Sequence, residues 1–299
     1  MVAGKGGVGK TTVAAALGLM AARAGKRTIV AEVSEQERLS ALFERRALGH
    51  REGKLADRLH GISIDPHRAK EEWLRYQLRS SALAGLLGGS RLFQYLTAAA
   101  PGVDELVTIG KVWDLAQLER RVGGTRPYDL AIVDSPATGH GLALLRAPRT
   151  YASIARVGPI AKQAGIIHRF IVDPSRTAVL AVSLPEEIPV NETIDLSARL
   201  RADMGMEIDA TVVNAVLPDR FSDREVERLA ALDGRLSDAA RAALGAALSE
   251  HGRAGEQRAE IGRLLEAGGA PPVELPFLFE PDLGPAEVEE LSRRLEDQL

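Results

Sequence analysis

A chain of 299 residues that is 45% hydrophobic can bury a large core, and a net charge of −3 leaves no basic footprint for nucleic acid or an anionic membrane. The cysteine count is 0, which excludes disulfides, thiolate zinc sites, iron–sulfur clusters and cysteine capture of a metalloid. The 6 histidines, His50, His60, His67, His140, His168 and His251, lie far apart and lack metal-ligand spacing.

The first predicted element is a short strand, Met1-Val2-Ala3, running into Gly4-Lys5-Gly6-Gly7-Val8-Gly9-Lys10-Thr11-Thr12. A strand of about 5–6 residues is usual at this place, so either the strand is short or residues upstream are missing from this version of the chain. The glycines let successive backbone N–H groups converge on an anion, and the helix that follows adds its positive end. In such a loop Lys10 reaches the β and γ phosphates and Thr11 offers its hydroxyl to Mg²⁺. The competing reading is a glycine-rich strand-to-helix turn that binds nothing. Lys5 is a second cation that an ordinary phosphate loop does not need; taken alone it also fits a solvated loop lysine.

Apolar, β-rich runs then alternate with helical stretches. Strands are predicted at Arg27–Ala31, Gly61–Asp65, Leu130–Asp134, Ala178–Val182, Ala210–Asn214 and Val273–Leu275. Helices between them imply right-handed crossovers, hence an α/β fold with a mostly parallel, doubly wound sheet. Residues 1–299 are read as a single domain with helical insertions at about 69–121 and 150–170 and a solvated helical hairpin at about 223–267. The first insertion carries an apolar stripe that includes Leu83, Leu87, Leu96, Val107, Ile109 and Trp113. Such a stripe is core by default and otherwise a surface for hydrophobic cargo or a partner. No apolar run approaches the ~18 residues of a membrane span and no leader precedes the loop, so a cytoplasmic protein without an integral membrane segment is expected.

Ligands of such sheets bind at the carboxyl ends of the strands, where Gly4, Asp134 and Asn214 all fall. Asp134 ends an apolar strand, as a carboxylate that holds Mg²⁺ through water does, and continues as Ser135-Pro136-Ala137-Thr138-Gly139-His140-Gly141. Glycine and proline at this density beside the γ-phosphate position suggest a switch loop; the alternative is an ordinary strand-to-helix turn.

The phosphate loop, Ile64-Asp65-Pro66, Pro101-Gly102-Val103-Asp104-Glu105, Asp134 to His140 with Leu144-Leu145-Arg146-Ala147-Pro148, Pro185-Glu186 with Glu192-Thr193, and Val213-Asn214 occur in this order over nearly the whole chain. Together they resemble the anion-transporting ATPase family, which includes arsenite-pump ATPases and ATPases that target tail-anchored membrane proteins. The resemblance implies ATP and Mg²⁺ as ligands, with Gly4, Lys5, Gly6, Gly7, Val8, Gly9, Lys10, Thr11 and Thr12 around the phosphates and Thr11 and Asp134 at the metal. It also implies that Lys5 reaches the nucleotide of an opposite subunit, itself a second copy or a paralogue, so that Lys5, Lys10 and Asp134 form the catalytic set. Asn214 matches the residue that recognises adenine, and Pro276-Phe277 would cover the base from the other side.

The sequence departs from the family pattern at two places. Relatives place an acidic pair and proline after the second strand, then an aspartate that orients the attacking water; here the run is Glu32-Val33-Ser34-Glu35, and the water-orienting position falls on Ala41. Alanine cannot hold water, so slow hydrolysis is expected, or use of Glu35 or Glu37, or of a non-identical partner subunit. Without cysteine, neither a zinc-joined dimer nor metalloid capture is possible, which leaves a zinc-free dimer of undefined cargo. The runner-up reading is a partition or division-site ATPase organised on DNA or membrane. That class usually carries a basic patch or an amphipathic terminal helix, whereas the last segment, Glu287 to Leu299, mixes both charges, which counts against it.

Overall fold

The computed structural model describes residues 1–33, 36–78, 102–118, 126–155, 159–232, 236–268 and 271–299. Within them eight strands form one sheet: β1 (Val2–Ala3), β2 (Thr28–Glu32), β3 (Gly53–Ala56), β4 (Leu59–Ser63), β5 (Leu130–Asp134), β6 (Leu180–Ser183), β7 (Ala210–Val216) and β8 (Val273–Pro276). Their order is β3-β4-β2-β5-β1-β6-β7-β8. Every pairing is parallel except β3 with β4, which is a hairpin at the sheet edge. The chain starts in the middle of the sheet and winds outward both ways, so the carboxyl ends of β2, β5, β1, β6 and β7 line up along one rim.

Helices cover both faces. On one face α1 (Lys10–Arg23) and α9 (Pro285–Glu296) bury Val13, Ala16, Val288, Leu291 and Leu295 against Val2, Val30, Ile132 and Val182. On the other, α2 (Pro66–Leu78), α3 (Val103–Leu115), α4 (Thr138–Ala155), α5 (Pro159–Ile171) and α6 (Glu187–Met204) cover Ile29, Ala31, Ile62 and Val133. With strands buried on both sides, the sheet needs near-continuous apolar runs, which β2 and β5 supply. The helix ends follow local chemistry. Pro285 starts α9 while the Glu287 carboxylate accepts the Gly284 N–H at 2.7 Å, and α6 stops at Gly205, whose φ of 65° closes the last turn. At Ser222 the backbone N–H is taken up by Glu225, which opens α7 (Asp223–Ala230).

Of the predicted strands only Leu130–Asp134 keeps both bounds; the other six shift by a residue or two at an end, and β3 is an addition. Where it is described, the stretch at about 150–170 is helical, with residues 150–155 ending α4 and 159–170 in α5, and Ala164, Ile167 and Ile171 are buried, as the default core reading of such a stripe expects. From the first insertion α2 and α3 are described, whereas Leu83, Leu87 and Leu96 lie outside the described residues. The predicted hairpin is helical, as α7 and α8 (Asp238–Glu266), and only Ala254, Ile261 and Leu264 of these two helices are buried. Among the described residues no helix is long and apolar enough to cross a membrane.

Candidate nucleotide site

The glycine loop joins β1 to α1 at the centre of the rim, and its shape is enforced by close packing. Gly4 has φ 152°, and a Cβ there would stand 2.2 Å from the Val182 carbonyl oxygen of β6. Gly9 has φ 89°, and its Cβ would stand 2.2 Å from Asn214 Nδ2. Neither position admits a side chain without displacing a neighbour. Beneath the loop, Val8 is buried in the α1 face.

Asn214 sits on β7 just before Ala215, whose φ of 60° marks an irregularity in the β7–β8 pairing. Its Nδ2 donates to the Val8 carbonyl at 3.0 Å, so the amide ties the loop to β7. Beyond it the Phe277 N–H donates to Val216 O at 2.8 Å, which fixes Pro276 and Phe277 at the end of β8. Phe277 is 42% exposed and Phe279 58%; their rings meet edge to face at 4.9 Å, and the Arg220 guanidinium lies 5.1 Å over Phe279. Phe279 and Arg220 are not among the residues that the sequence singled out.

The two loop lysines face different partners. Lys10 Nζ donates to the Lys5 carbonyl at 2.8 Å; burial lowers its pKa, while the charge of Asp134 opposes the shift. Lys5 Nζ lies 3.4 Å from Glu192 Oε1 of α6, with both side chains about one-third exposed. An ion pair of that exposure is worth roughly 0.2–1 kcal/mol, weak enough to exchange partners.

Asp134 is 3% exposed at the end of β5, and its Oδ2 accepts the Thr11 hydroxyl at 2.6 Å. Burial raises its pKa against the Thr11 hydrogen bond and the Lys10 charge. Its Oδ1 is buried without a hydrogen-bond partner, as is the Thr138 hydroxyl. A buried carboxylate oxygen left unpartnered is costly, and beside a threonine hydroxyl it fits a magnesium environment built from Thr11 and Asp134. Among the described residues there is no cluster of three or more metal-ligating side chains, consistent with an ion that takes much of its shell from phosphate and water. The loop after Asp134 closes over the glycine loop, with Ala137 Cβ 3.8 Å from a Cβ at Gly6.

On the neighbouring strand, Glu32 is paired in register with Asp134 and is 1% exposed. Its Oε1 accepts the Arg38 N–H at 2.8 Å and its Oε2 the Leu39 N–H at 3.5 Å. Burial, with the charge of Asp134 added, pushes its pKa up to about 7 against those two hydrogen bonds. Glu37, a sequence candidate for orienting water, instead accepts the Leu48 N–H at 2.5 Å and the Gly49 N–H at 2.9 Å. Glu35 lies outside the described residues, and Ala41 sits exposed in a short 3₁₀ turn, Ala41–Phe43.

A second polar cluster lies behind this loop. The Asp65 N–H donates to His50 Nδ1 at 3.1 Å, which leaves the ring proton on Nε2, 3.3 Å from Glu72 Oε1; Glu72 Oε2 accepts from Lys111 Nζ at 2.7 Å. It joins the loop after β2 to the stems of α2 and α3.

Comparison with known proteins agrees with this geometry. The family profile described as "Anion-transporting ATPase" matches residues 1–163 and 153–236. The chain is 28% identical to "ATPase BagA" of Mycobacterium tuberculosis over 320 aligned residues, covering 100% of this chain and 92% of that protein. It is 28% identical to "ATPase GET3" of Chaetomium globosum over 240 residues, covering 76% of this chain and 66% of the relative. A sheet wound outward from a glycine loop, with an aspartate and a threonine hydrogen-bonded beside it, and a profile match over most of the length lead to one conclusion: the chain belongs to the anion-transporting ATPase family.

Proposed function

We propose that the protein is a cytoplasmic ATP- and Mg²⁺-dependent switch that works as a dimer, with itself or a paralogous subunit, hydrolyses ATP slowly and acts on a hydrophobic protein cargo. The observation that carries the reading is the division of labour between the two loop lysines. Lys10 is turned onto its own loop, whereas Lys5 is turned onto Glu192 of α6 in a weak ion pair about one-third exposed. A phosphate held by the loop needs one local ammonium group; the other is available to a neighbour's nucleotide.

In this mechanism Lys10 leaves the Lys5 carbonyl for the β and γ phosphates, a favourable exchange for an ammonium whose burial already lowers its pKa. Glycines 4, 6, 7 and 9, with the N–H groups of Val8, Thr11 and Thr12, wrap the phosphates. Magnesium, when bound, would neutralise phosphate charge next to Thr11 and Asp134. Asn214, Pro276 and Phe277 would border the base. Lys5 and the loop after Asp134 would touch the γ-phosphate only in the closed pair, which gives ATP the differential contact that closure requires. Ala41 offers no group to orient water, so turnover is slow.

The test is steady-state phosphate release from the purified chain, with Lys10→Ala as the blank. The reading expects turnover that is slow, above the blank and dependent on Mg²⁺. Turnover equal to the blank alongside undiminished nucleotide binding would refute hydrolysis, and absence of nucleotide binding would refute the site.

A further inference from the structure

We infer that Glu32 is a positioning residue for ATP hydrolysis: it sits inside the rim beside Asp134 and fixes the backbone of the loop that lacks a water-orienting carboxylate. The inference rests on the ATPase reading above.

Three observations carry it. First, Glu32 is almost completely buried, and both of its oxygens face backbone N–H groups of a single loop, Arg38 and Leu39. A buried carboxylate is expensive to desolvate. Both oxygens act as acceptors, so the side chain is committed to this one stretch of backbone. Second, Glu32 and Asp134 pair in register on adjacent parallel strands, which places their side chains on the same face at a strand spacing of about 4.8 Å. Two carboxylates so close repel one another, and the Lys10 charge beside Asp134 opposes that repulsion. Asp134 Oδ1 is buried without a hydrogen-bond partner. Third, the loop is fastened at its other points. Leu39 and Phe43 are buried in the α1 face, and Glu37 holds the amides of Leu48 and Gly49. The Arg38–Leu39 backbone is thus the place where the loop is held from the nucleotide side, and Glu32 is the group that holds it.

Cationic charge bound beside Asp134 would lower the repulsion across the strand pair, and Glu32 would then hold the Arg38 and Leu39 amides more firmly. The loop then stands closer to one geometry while water attacks. Displacement by about 1 Å is enough to slow a reaction ~100-fold.

The experiment compares wild type, Glu32→Gln, Glu32→Asp and, as a remote control, Glu207→Gln, whose exposed carboxylate pairs with Arg201 of α6. Three quantities are measured: kcat and KM for ATP, affinity for a fluorescent non-hydrolysable ATP analogue with Mg²⁺, and hydrogen exchange of the peptide spanning residues 36–43. Gln turns a donor toward an amide N–H, and Asp is one carbon too short to hold both amides. Both are expected to lower kcat by about 10- to 100-fold with analogue affinity within about threefold, and to speed exchange of the 36–43 peptide by about tenfold or more in the analogue-bound state. Glu207→Gln is expected to keep kcat within about threefold.

Unchanged kcat and unchanged exchange in Glu32→Gln and Glu32→Asp would overturn the inference, as would an equal kcat loss in Glu207→Gln. Glu32→Asp keeps the charge and burial, so it reports even if Glu32→Gln unfolds. If wild type binds nucleotide but turns nothing over, the ATPase reading fails, whereas the exchange arm still decides whether Glu32 holds the loop.

Discussion

Asn214 and Gly9 make a mutual constraint that can be measured. Alanine at position 9 meets two obstacles: a φ of 89°, where an L side chain costs about 1–2 kcal/mol, and Asn214 Nδ2 at 2.2 Å from the new Cβ. The amide has to swing aside, which breaks its 3.0 Å hydrogen bond to the Val8 carbonyl, worth about 0.5–1.5 kcal/mol. Gly9→Ala should therefore destabilise by roughly 2–3 kcal/mol, and Asn214→Ala by about 1 kcal/mol. In the double variant the clash is gone and the hydrogen bond is lost only once. The sum of the single effects should then exceed the double effect by about 1 kcal/mol. Urea unfolding of the four proteins at constant m-value gives this coupling directly. Additivity to within ~0.4 kcal/mol would mean that the two residues act independently and that the loop is not held from β7 as described.

Two further outcomes follow from the same geometry. Burial would raise the Glu72 pKa, but hydrogen bonds from His50 and Lys111 and the charge of Lys111 outweigh it and hold the carboxyl at about 2, below its ordinary 4.5. A depressed carboxylate stabilises the fold above its unfolded pKa and loses that contribution as pH falls from about 4.5 toward 2. Because the side chain is 36% exposed, solvent screening reduces the contribution to about 1–2 kcal/mol. Glu72→Gln should lower the urea midpoint at pH 7 and flatten its dependence between pH 5 and 2.5; a variant as pH-sensitive as wild type would contradict this. Phe277→Ala should weaken binding of an adenine nucleotide by about tenfold, a stacking contribution of roughly 1–3 kcal/mol, read by titration calorimetry. A change below twofold would remove Phe277 from the site.

Much of the fold was legible because its signals are local. β5 keeps its predicted bounds since Leu130 to Asp134 is an uninterrupted apolar run ending in a carboxylate, and the glycine loop announces its own turn. β3 was not legible: Gly53-Lys54-Leu55-Ala56 is short, lies at the edge and buries only Leu55 fully. For the helical stretch at 150–170 the sequence leaves core and partner surface both open; packing of α5 against α3 and α4 is what buries Ile167 and Ile171, and packing is not local information.

The candidate site divides in the same way. Lys5, Lys10 and Thr11 lie in one motif, and Asp134 has a strand to identify it. Glu32 reads in sequence as an unremarkable end of a strand; its environment exists only because β2 and β5, about a hundred residues apart, pair in register. Glu37 has the right residue type for orienting water, yet its carboxylate is committed to the Leu48 and Gly49 amides. The partner of Lys5 could not be inferred from spacing either, since Glu192 comes from α6 on the far side of β6.

The central claim, that ATP joins two subunits through Lys5, is tested most directly by sedimentation velocity of wild type and Lys5→Ala with a non-hydrolysable ATP analogue and Mg²⁺, together with each candidate partner subunit. Wild type should be monomeric without the analogue and paired with it, whereas Lys5→Ala should bind the analogue and remain monomeric. Nucleotide-driven pairing of Lys5→Ala at wild-type concentrations would contradict the account.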